Sequence, residues 1–164
     1  LHALCLHRIA NLFWKIKLNF IAKIIAYLSR MITGIEIHPA AKIGKNLFID
    51  HGFGVVIGET SIIGNNVLIY HGVTLGGTSL QKGKRHPTIN DDAIIGAGAK
   101  ILGPITIGKQ SRVGANAVVT RNVEKFTTVM GIPAKVIKKY DKKNNKNFTP
   151  YGTPVDLDYS NELD

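Results

Sequence analysis

Aliphatic side chains recur at every sixth position through the middle of the chain. Ile37, Ile43 and Ile49 begin the series, glycine often follows the aliphatic residue, and a small or β-branched residue tends to come four positions after it. The later members are Ile57, Ile63, Ile69, Leu75, Ile89, Ile95, Ile101, Ile107, Val113 and Val119. Neither the 3.6-residue period of a helix nor strict alternation produces this pattern. It predicts a triangular parallel β-helix, because each six-residue unit can form one flat side with its aliphatic residue in the core, and three units complete a coil.

The series changes its step at two places. A step of eight residues follows Ile49 and predicts a small bulge just after Asp50 and His51. A step of fourteen residues follows Leu75 and predicts that a loop of about residues 76–88 leaves the coil. Loops held on a rigid scaffold are where binding and catalytic residues tend to lie. Both the bulge and the loop contain histidine, so we expect catalytic or binding residues there.

Segments without the six-residue period flank the repeat. Residues 1–33 carry apolar residues at three- and four-residue spacings and contain no proline or glycine, which predicts an α-helical segment ending at Gly34. Residues 34–139 are predicted to form the β-helix domain. Residues 140–164 are polar and rich in lysine and asparagine, and we expect this C-terminal tail to be mobile in part. The predicted fold class is therefore mainly β, with an N-terminal helical segment.

Composition narrows the class of protein. The 164 residues fit one domain with enough apolar content for a core. The single cysteine, Cys5, excludes an intrachain disulfide framework and suits a reducing compartment. Basic residues interrupt the apolar segment between Ile9 and Ile32 too often for a membrane span. We expect a cytoplasmic protein with no membrane partner.

Charge and metal-ligand residue types add two further exclusions. The formal net charge of +10 calls for an anionic partner or a solvated tail. The basic run near the C-terminus lacks the interleaved aromatic residues of a nucleic-acid surface, so a solvated tail is favoured and no nucleic-acid partner is predicted. His2, Cys5 and His7 have metal-ligand chemistry, but their helical spacing does not converge, and no metal is predicted.

Several short motifs accompany the repeat: "IEIHPAAKIG", "IDHGFGVVIGET", "GVTLGGT", "KRHPTI", "IGAGAKILG" and "GIPAK". Together with the repeat they resemble the serine O-acetyltransferases, hexapeptide-repeat enzymes of cysteine biosynthesis, from about His2 to Lys139. The Asp-His motif followed by "GVTLGGT" and an Arg-His-Pro loop is more specific than the repeat alone. The resemblance implies a left-handed parallel β-helix that transfers an acetyl group from acetyl-CoA to the hydroxyl of L-serine.

The resemblance assigns catalysis to His51 and Glu36. His51 would be the general base that takes the serine hydroxyl proton, and its imidazolium would then protonate the departing CoA thiolate. Glu36 stands where the family has an aspartate that orients the base; it keeps the charge and lengthens the side chain by one methylene. With three six-residue units per coil, the two residues are expected on neighbouring faces. The alternative for Glu36 is a surface carboxylate hydrogen-bonded to a corner.

Substrate binding is implied for three more residues. Asp50 would help hold the ammonium group of serine, while Arg85 and His86 would contact its carboxylate, the arginine through a forked pair of hydrogen bonds. A zwitterionic amino acid needs both charges, whereas a sugar would not. The alternative for Arg85 and His86 is a basic loop tip exposed to water.

For acetyl-CoA, the family lays the pantetheine arm along the groove between neighbouring β-helices. Gly77, Ala97 and Ala115 match positions where small residues let the backbone approach that arm, and Lys135 would meet a CoA phosphate. A backbone N–H near Gly77 is a candidate for oxyanion stabilisation. The alternative is that these small residues serve coil geometry alone, and both can hold together.

Two other histidines are interpreted as structural. His38 lies next to a proline at a predicted corner, and His71 lies within a repeat unit near the presumed cleft. For both, packing is favoured over chemistry.

The family resemblance also bears on assembly. It implies a homotrimer with active sites at chain boundaries, and longer relatives pair two trimers, so a dimer of trimers is the alternative. Relatives that bind cysteine synthase end in isoleucine; this chain ends "YSNELD", and that complex is not predicted.

Two rival functions remain open at this level. The same scaffold could O-acetylate a sugar or polysaccharide, or it could be a catalytically idle scaffold that binds through its basic helix or tail.

Overall fold

The computed structural model describes residues 1–140, and the prediction for the remaining tail lies outside these described residues. The chain begins with two α-helices, α1 (His2–Lys15) and α2 (Asn19–Thr33), which pack against each other. The sequence predicted one helical segment; the structure breaks it at Lys17, whose φ of 65° no continuous helix contains. Helix α2 ends where expected, with Gly34 in the left-handed conformation at φ 68°.

The rest of the described chain is a solenoid of short strands arranged in three flat faces. Face A contains β1 (Glu36–Ile37), β4 (Val56–Ile57), β7 (Thr74–Gly76), β10 (Lys100–Leu102) and β13 (Val118–Val119). Face B contains β2 (Lys42–Ile43), β5 (Ile62–Ile63), β8 (Thr88–Ile89) and β11 (Thr106–Ile107). Face C contains β3 (Phe48–Asp50), β6 (Leu68–Tyr70), β9 (Ile94–Ile95), β12 (Arg112–Val113), β14 (Thr127–Met130) and β15 (Lys135–Lys139).

Strands of successive coils pair in parallel and in register. On face A, for example, Ile37 pairs with Ile57, and Ile57 pairs with Leu75. The residues of the six-residue series therefore stack on one another inside the triangle, and all of them are buried except Ile49, which is partly exposed. This confirms the parallel β-helix predicted from the period, and the arrangement is consistent with the left-handed form. The "GIPAK" segment instead leads into β15, which pairs antiparallel with β14.

Both changes of step also appear in the structure. Two extra residues, His51 and Gly52, lengthen the corner between β3 and β4 relative to the corner between β6 and β7. Residues 77–87 leave the solenoid between β7 and β8. The structure thus has a longer corner after β3 and a loop between β7 and β8.

Corners between faces B and C contain a feature that the sequence analysis missed. Each turns through a residue with positive φ, and three of these residues, Asn46, Asn66 and Asp92, form a ladder. Asn46 Nδ2 donates to Asn66 Oδ1 over 3.0 Å, and Asn66 Nδ2 donates to Asp92 Oδ1 over 3.2 Å. Asn and Asp tolerate the left-handed region better than other non-glycine residues, which explains their presence.

Helix α1 is fastened to the first coil by polar contacts. The Arg8 guanidinium donates to the carbonyl oxygens of Ile43 (2.7 Å) and Gly44 (2.6 Å), and Asn11 Nδ2 donates to the carbonyl oxygen of Pro39 over 2.7 Å. These bonds satisfy carbonyl groups of the first coil, on which no further coil stacks. Within residues 1–140, no helix combines the length and the apolar character that crossing a membrane requires.

Candidate functional site

His51 lies on the bulge at the corner between faces C and A. Its backbone is in the left-handed region at φ 48°, uncommon for a non-glycine residue. The side chain is 81% exposed, and its Nε2 lies 3.7 Å from Oδ1 of Asp50. The imidazole is therefore open to a reactant and has a carboxylate beside it that can stabilise the charge of its protonated form.

Glu36 lies on β1, on the neighbouring face, as the sequence predicted. Its Oε2 is 2.9 Å from Nη1 of Arg30 on α2. Among residues 1–140, no ion pair or hydrogen bond joins Glu36 to His51; the carboxylate beside His51 is that of Asp50. The Glu36–His51 dyad thus stays a prediction, and Arg30 is a partner that the sequence gave no signal for.

Arg85 and His86 lie on the returning limb of the extruded loop, not at its exposed tip. Arg85 Nη2 forms a short ion pair with Oε2 of Glu59, and His86 is only 9% exposed. Burial lowers the pKa of His86, and the positive charge of Arg85 lowers it further. The water-exposed loop tip that was the alternative is therefore not where these two side chains lie.

The residues that anchor this limb are Glu59 and Thr60, which sequence reasoning missed. They follow Gly58 in the corner after β4, twenty-six positions before Arg85 and His86 respectively. A Cβ atom at Gly58 would lie 2.0 Å from Cδ2 of His86, so only glycine leaves room for the ring. The polar pair after glycine in "VIGET" gave no distinctive signal, because other corners of the repeat also carry polar pairs there, such as Lys45-Asn46 and Lys109-Gln110.

Two of the predicted acetyl-CoA residues lie together. Ala97 and Ala115 occupy equivalent positions in successive coils at the corner between faces C and A, where the N–H of Asn116 donates to the Ala97 carbonyl oxygen over 2.7 Å. Lys135 is exposed. The N–H of the preceding Ala134 donates to the Val118 carbonyl oxygen over 2.9 Å. Lys135 therefore lies at the same corner of the triangle as Ala97 and Ala115, in the last part of the solenoid.

Gly77 lies apart from these residues, at the start of the loop and at the other edge of face A. A Cβ there would be 3.2 Å from the carbonyl oxygen of Arg85. Gly77 is therefore next to the Arg85–His86 limb in the same chain, and the structure does not bring it beside Ala97.

The two histidines interpreted as structural differ from each other. His38 Nδ1 accepts a hydrogen bond from the Ala40 N–H at 3.1 Å, and its ring packs edge-on against Trp14 with centroids 5.0 Å apart, which confirms a structural role. His71 is exposed at the same corner position as Ala97, so the prediction that it packs in the fold is wrong. Its unit ends at the corner, where the side chain turns outward.

The candidate residues form two groups at opposite edges of face A. His51 and Asp50 lie at the corner that precedes this face, and Arg85 and His86 lie at the corner that follows it. The flat side between them is about six residues long, which at the rise of an extended chain separates them by on the order of 15–20 Å. One small substrate cannot touch both groups of a single chain.

No cluster of three or more His, Cys, Asp or Glu side chains suited to a metal ion occurs in residues 1–140. On α1, the ring of His7 is buried and the side chain of Cys5 is exposed.

Comparison with known proteins gives concordant results. Residues 86–121 match the family model described as bacterial transferase hexapeptide (six repeats). A serine acetyltransferase from Bacillus pumilus is 56% identical over 154 residues, which cover 94% of this chain and 71% of that protein. A crystal structure of Neisseria gonorrhoeae serine acetyltransferase in complex with serine superposes with a TM-score of 0.81 at 43% identity.

A crystal structure of serine acetyltransferase from Brucella abortus in complex with coenzyme A superposes with a TM-score of 0.83 at 44% identity. The match covers 84% of this chain for the Neisseria protein and 85% for the Brucella protein, and in each case 56% of the solved chain. The present chain thus spans little more than half the length of these solved chains. Its repeat, its bulge with Asp50 and His51, and its similarity over most of its length show that it belongs to the serine acetyltransferase family.

Proposed function

We propose that this chain carries the catalytic domain of a serine O-acetyltransferase, which transfers the acetyl group of acetyl-CoA to the hydroxyl of L-serine. The products are O-acetylserine, a precursor in cysteine biosynthesis, and free CoA. The observation that carries the proposal is the exposed imidazole of His51, held on a bulge beside the Asp50 carboxylate, in a chain 56% identical to a serine acetyltransferase.

The proposed step needs a base and no enzyme nucleophile. His51 Nε2 removes the proton of the serine hydroxyl while its oxygen attacks the thioester carbonyl carbon. When the tetrahedral intermediate collapses, the C–S bond breaks and the imidazolium returns the proton to the departing thiolate. The thioester is already activated, so the acetyl group passes directly from sulfur to oxygen.

The neighbouring carboxylates support that role. Asp50 Oδ1 lies 3.7 Å from Nε2, too far for a hydrogen bond that would occupy this nitrogen, and its negative charge stabilises the imidazolium formed during attack. Glu36 is one face away and is paired with Arg30. We infer that it becomes the second partner of His51 when substrate binding exchanges the Arg30 contact, which is exposed and therefore weak.

Recognition of serine would use both of its charges. Arg85 and His86 supply donors for the carboxylate, and Asp50 supplies an acceptor for the ammonium group. Ala97, Ala115 and Lys135 share one corner of the solenoid, which supports a path for acetyl-CoA along that corner with Lys135 near a phosphate. Gly77 would border this path from a different chain.

The distance between the two groups of residues supports a homotrimer. Because a single chain separates them by the width of face A, a complete site requires His51 from one chain and the Arg85–His86 limb from its neighbour. A dimer of trimers is the larger alternative. A cytoplasmic location rests on the single cysteine, Cys5.

The decisive experiment measures free CoA thiol released from acetyl-CoA with L-serine and, separately, with a panel of sugars. We expect release with serine only, and His51→Ala should lower kcat by roughly 10²–10⁴-fold, the usual contribution of a general base. Lys45→Ala is the control, because it truncates an exposed side chain at a corner between faces B and C, away from this site. Release that depends on a sugar would support the rival acceptor, and equal activity of His51→Ala and wild type would refute catalysis at this site.

A further inference from the structure

Thr60 makes most of the hydrogen bonds that hold the returning limb of the loop. Its Oγ1 accepts the backbone N–H of Arg85 over 3.0 Å and the backbone N–H of His86 over 3.0 Å. Its carbonyl oxygen accepts Lys84 Nζ over 2.7 Å, and Lys84 Nζ also donates to the Pro87 carbonyl oxygen over 3.1 Å. The backbone on both sides of the Arg85–His86 pair is therefore fixed to the corner that follows β4.

Thr60 also contacts the His86 ring, and these contacts determine its tautomer. The Thr60 backbone N–H lies 3.2 Å from Nδ1 of His86, and Thr60 Oγ1 lies 3.0 Å from the same nitrogen. A backbone N–H can only donate, so Nδ1 must be the acceptor. The hydroxyl already accepts two N–H groups, which leaves its own proton to donate to Nδ1. A neutral His86 consequently carries its proton on Nε2.

The surroundings keep the ring neutral. Burial and the adjacent Arg85 charge both lower the pKa of His86, so the uncharged form prevails near neutral pH. Within residues 1–140, no hydrogen-bond partner of His86 Nε2 is found. The ring thus presents one free N–H, which suits a carboxylate, whereas the other tautomer would present a lone pair that repels it.

Glu59 orients the Arg85 side chain, as Thr60 orients the His86 ring. Its Oε2 pairs with Nη2 of Arg85, and both side chains are about one-third exposed or less. A guanidinium has five N–H donors in a planar fork, so one bound edge fixes the plane and leaves the other donors available. With His86 neutral, the charges of Glu59 and Arg85 cancel locally, and the remaining charge nearby is that of Lys84.

We propose that Thr60 and Glu59 are positioning residues for the amino-acid carboxylate: Thr60 holds His86 with its Nε2–H available, and Glu59 orients the Arg85 guanidinium beside it. This inference rests on the proposed function, since it names the residues that shape the serine side of that site. Neither residue touches the reacting atoms. Their effect is expected on serine binding, through Arg85 and His86.

The first test compares Thr60→Val with Thr60→Ser. Valine keeps the shape and the backbone N–H but removes the hydroxyl, and serine restores it. We expect Thr60→Val to raise KM for serine by roughly tenfold to a hundredfold, the equivalent of one hydrogen bond to a charged group. Its kcat and its KM for acetyl-CoA should stay near the wild-type values, and Thr60→Ser should recover most of the serine affinity. Thr106→Val, the same change on face B, should alter none of these constants.

A spectroscopic measurement tests the geometry without relying on activity. Long-range ¹H–¹⁵N NMR of the full chain should show His86 of the wild type as the Nε2–H tautomer near neutral pH. In Thr60→Val the retained backbone N–H should keep this tautomer, and the loss of the hydroxyl donor should appear as a shift of the His86 Nδ1 resonance. A wild-type ring with its proton on Nδ1 would overturn the proposal, as would a Thr60→Val protein with unchanged serine KM. Equal losses in kcat and in both KM values, with no rescue by serine, would assign Thr60 a merely structural role and also contradict it.

The second test concerns Glu59. Glu59→Ala should raise KM for serine, and Glu59→Gln, which keeps an acceptor oxygen for Arg85, should raise it less. Glu124→Ala is the control, because it removes a glutamate from an exposed ion pair with Lys139 at the far end of the solenoid. An unchanged KM in Glu59→Ala would refute the orienting role. If the wild type released no thiol with serine at all, the proposed function would fail, while the tautomer measurement would still decide whether Thr60 sets the state of His86.

Discussion

Gly58 shows how closely a single residue is matched to the site. Its φ is ordinary, so conformational freedom is not the reason for glycine here. A Cβ atom at this position would lie 2.0 Å from Cδ2 and 2.2 Å from Nε2 of His86, well inside van der Waals contact. The missing side chain is therefore the space in which the His86 ring sits.

We predict that Gly58→Ala displaces the His86 ring and lowers kcat/KM for serine by on the order of a hundredfold, as a misplacement of about 1 Å can do. Gly64→Ala is the matched control, because its Cβ would be 2.4 Å from Oδ1 of Asp91 at a corner away from the site. The control should lower the midpoint of urea unfolding but leave the KM for serine unchanged. Serine kinetics of Gly58→Ala that equal those of Gly64→Ala would contradict this interpretation.

Helix α1 carries a buried histidine that takes no part in the proposed chemistry. His7 is 3% exposed, and neither ring nitrogen has a hydrogen-bond partner among the described residues. Burial, followed by the positive charge of Arg8, lowers its pKa from 6.5 to about 4, and His38 and Lys15 act in the same direction. Only the contribution of the Ala41 backbone opposes the shift. The docked helix therefore requires a neutral ring.

The pH dependence follows from the sign of that shift. Above pH 6.5 the ring is neutral in both states and the stability is fully present; between pH 6.5 and about 4 only the unfolded chain gains the proton, so stability falls. The loss attributable to His7 is up to about 3 kcal/mol. We predict that His7→Leu flattens the pH dependence of the free energy of unfolding in this range, measured with urea. His2→Leu, which changes an exposed residue of the same helix, should keep the wild-type dependence of the unfolding free energy on pH. If His7→Leu also kept the wild-type dependence, the assignment to His7 would be disproved.

At the scale of the whole molecule, the solenoid places its two groups of candidate residues on opposite edges of face A. His51 belongs to the corner that precedes the face, and Arg85 belongs to the corner that follows it. A rigid stack of parallel coils cannot fold these edges toward each other. Activity should therefore depend on contact between chains.

We predict that two inactive variants recover enzymatic activity when their chains assemble together. If His51→Ala and Arg85→Ala chains are mixed in equal amounts, unfolded and refolded together, about one quarter of the sites between chains should regain both residues. Thiol release with serine measures the recovery, and sedimentation should report a trimer. Mixed chains that stay as inactive as each variant alone would show that each site lies within one chain.

Much of the fold could be predicted from the sequence because the six-residue period is a property of every coil. An aliphatic residue that recurs at this spacing can only be buried together with its equivalents if the chain turns through three faces, as Ile37, Ile57 and Leu75 do. The corner ladder of Asn46, Asn66 and Asp92 was missed because it depends on backbone conformation, which the hydrophobic pattern does not report. The break at Lys17 was missed because helical spacing continues across it.

The candidate site could be predicted only in part. His51, Asp50, Arg85 and His86 are the residues at which the period is interrupted, so the sequence pointed to them directly. Their partners could not be found that way. Arg30 beside Glu36 and Thr60 beside His86 depend on how a helix and a loop return to the solenoid, and no spacing rule relates them.

The sequence by itself determined which residues face the core, where the coil is interrupted and which family the motifs resemble, because these properties repeat locally along the chain. Only the tertiary structure decided which side chains meet: Glu59 with Arg85, Thr60 with His86, Asp50 with His51. The physical reason is that a hydrogen bond or ion pair requires atoms within about 3–4 Å. That proximity is set by the folded path of the chain between them.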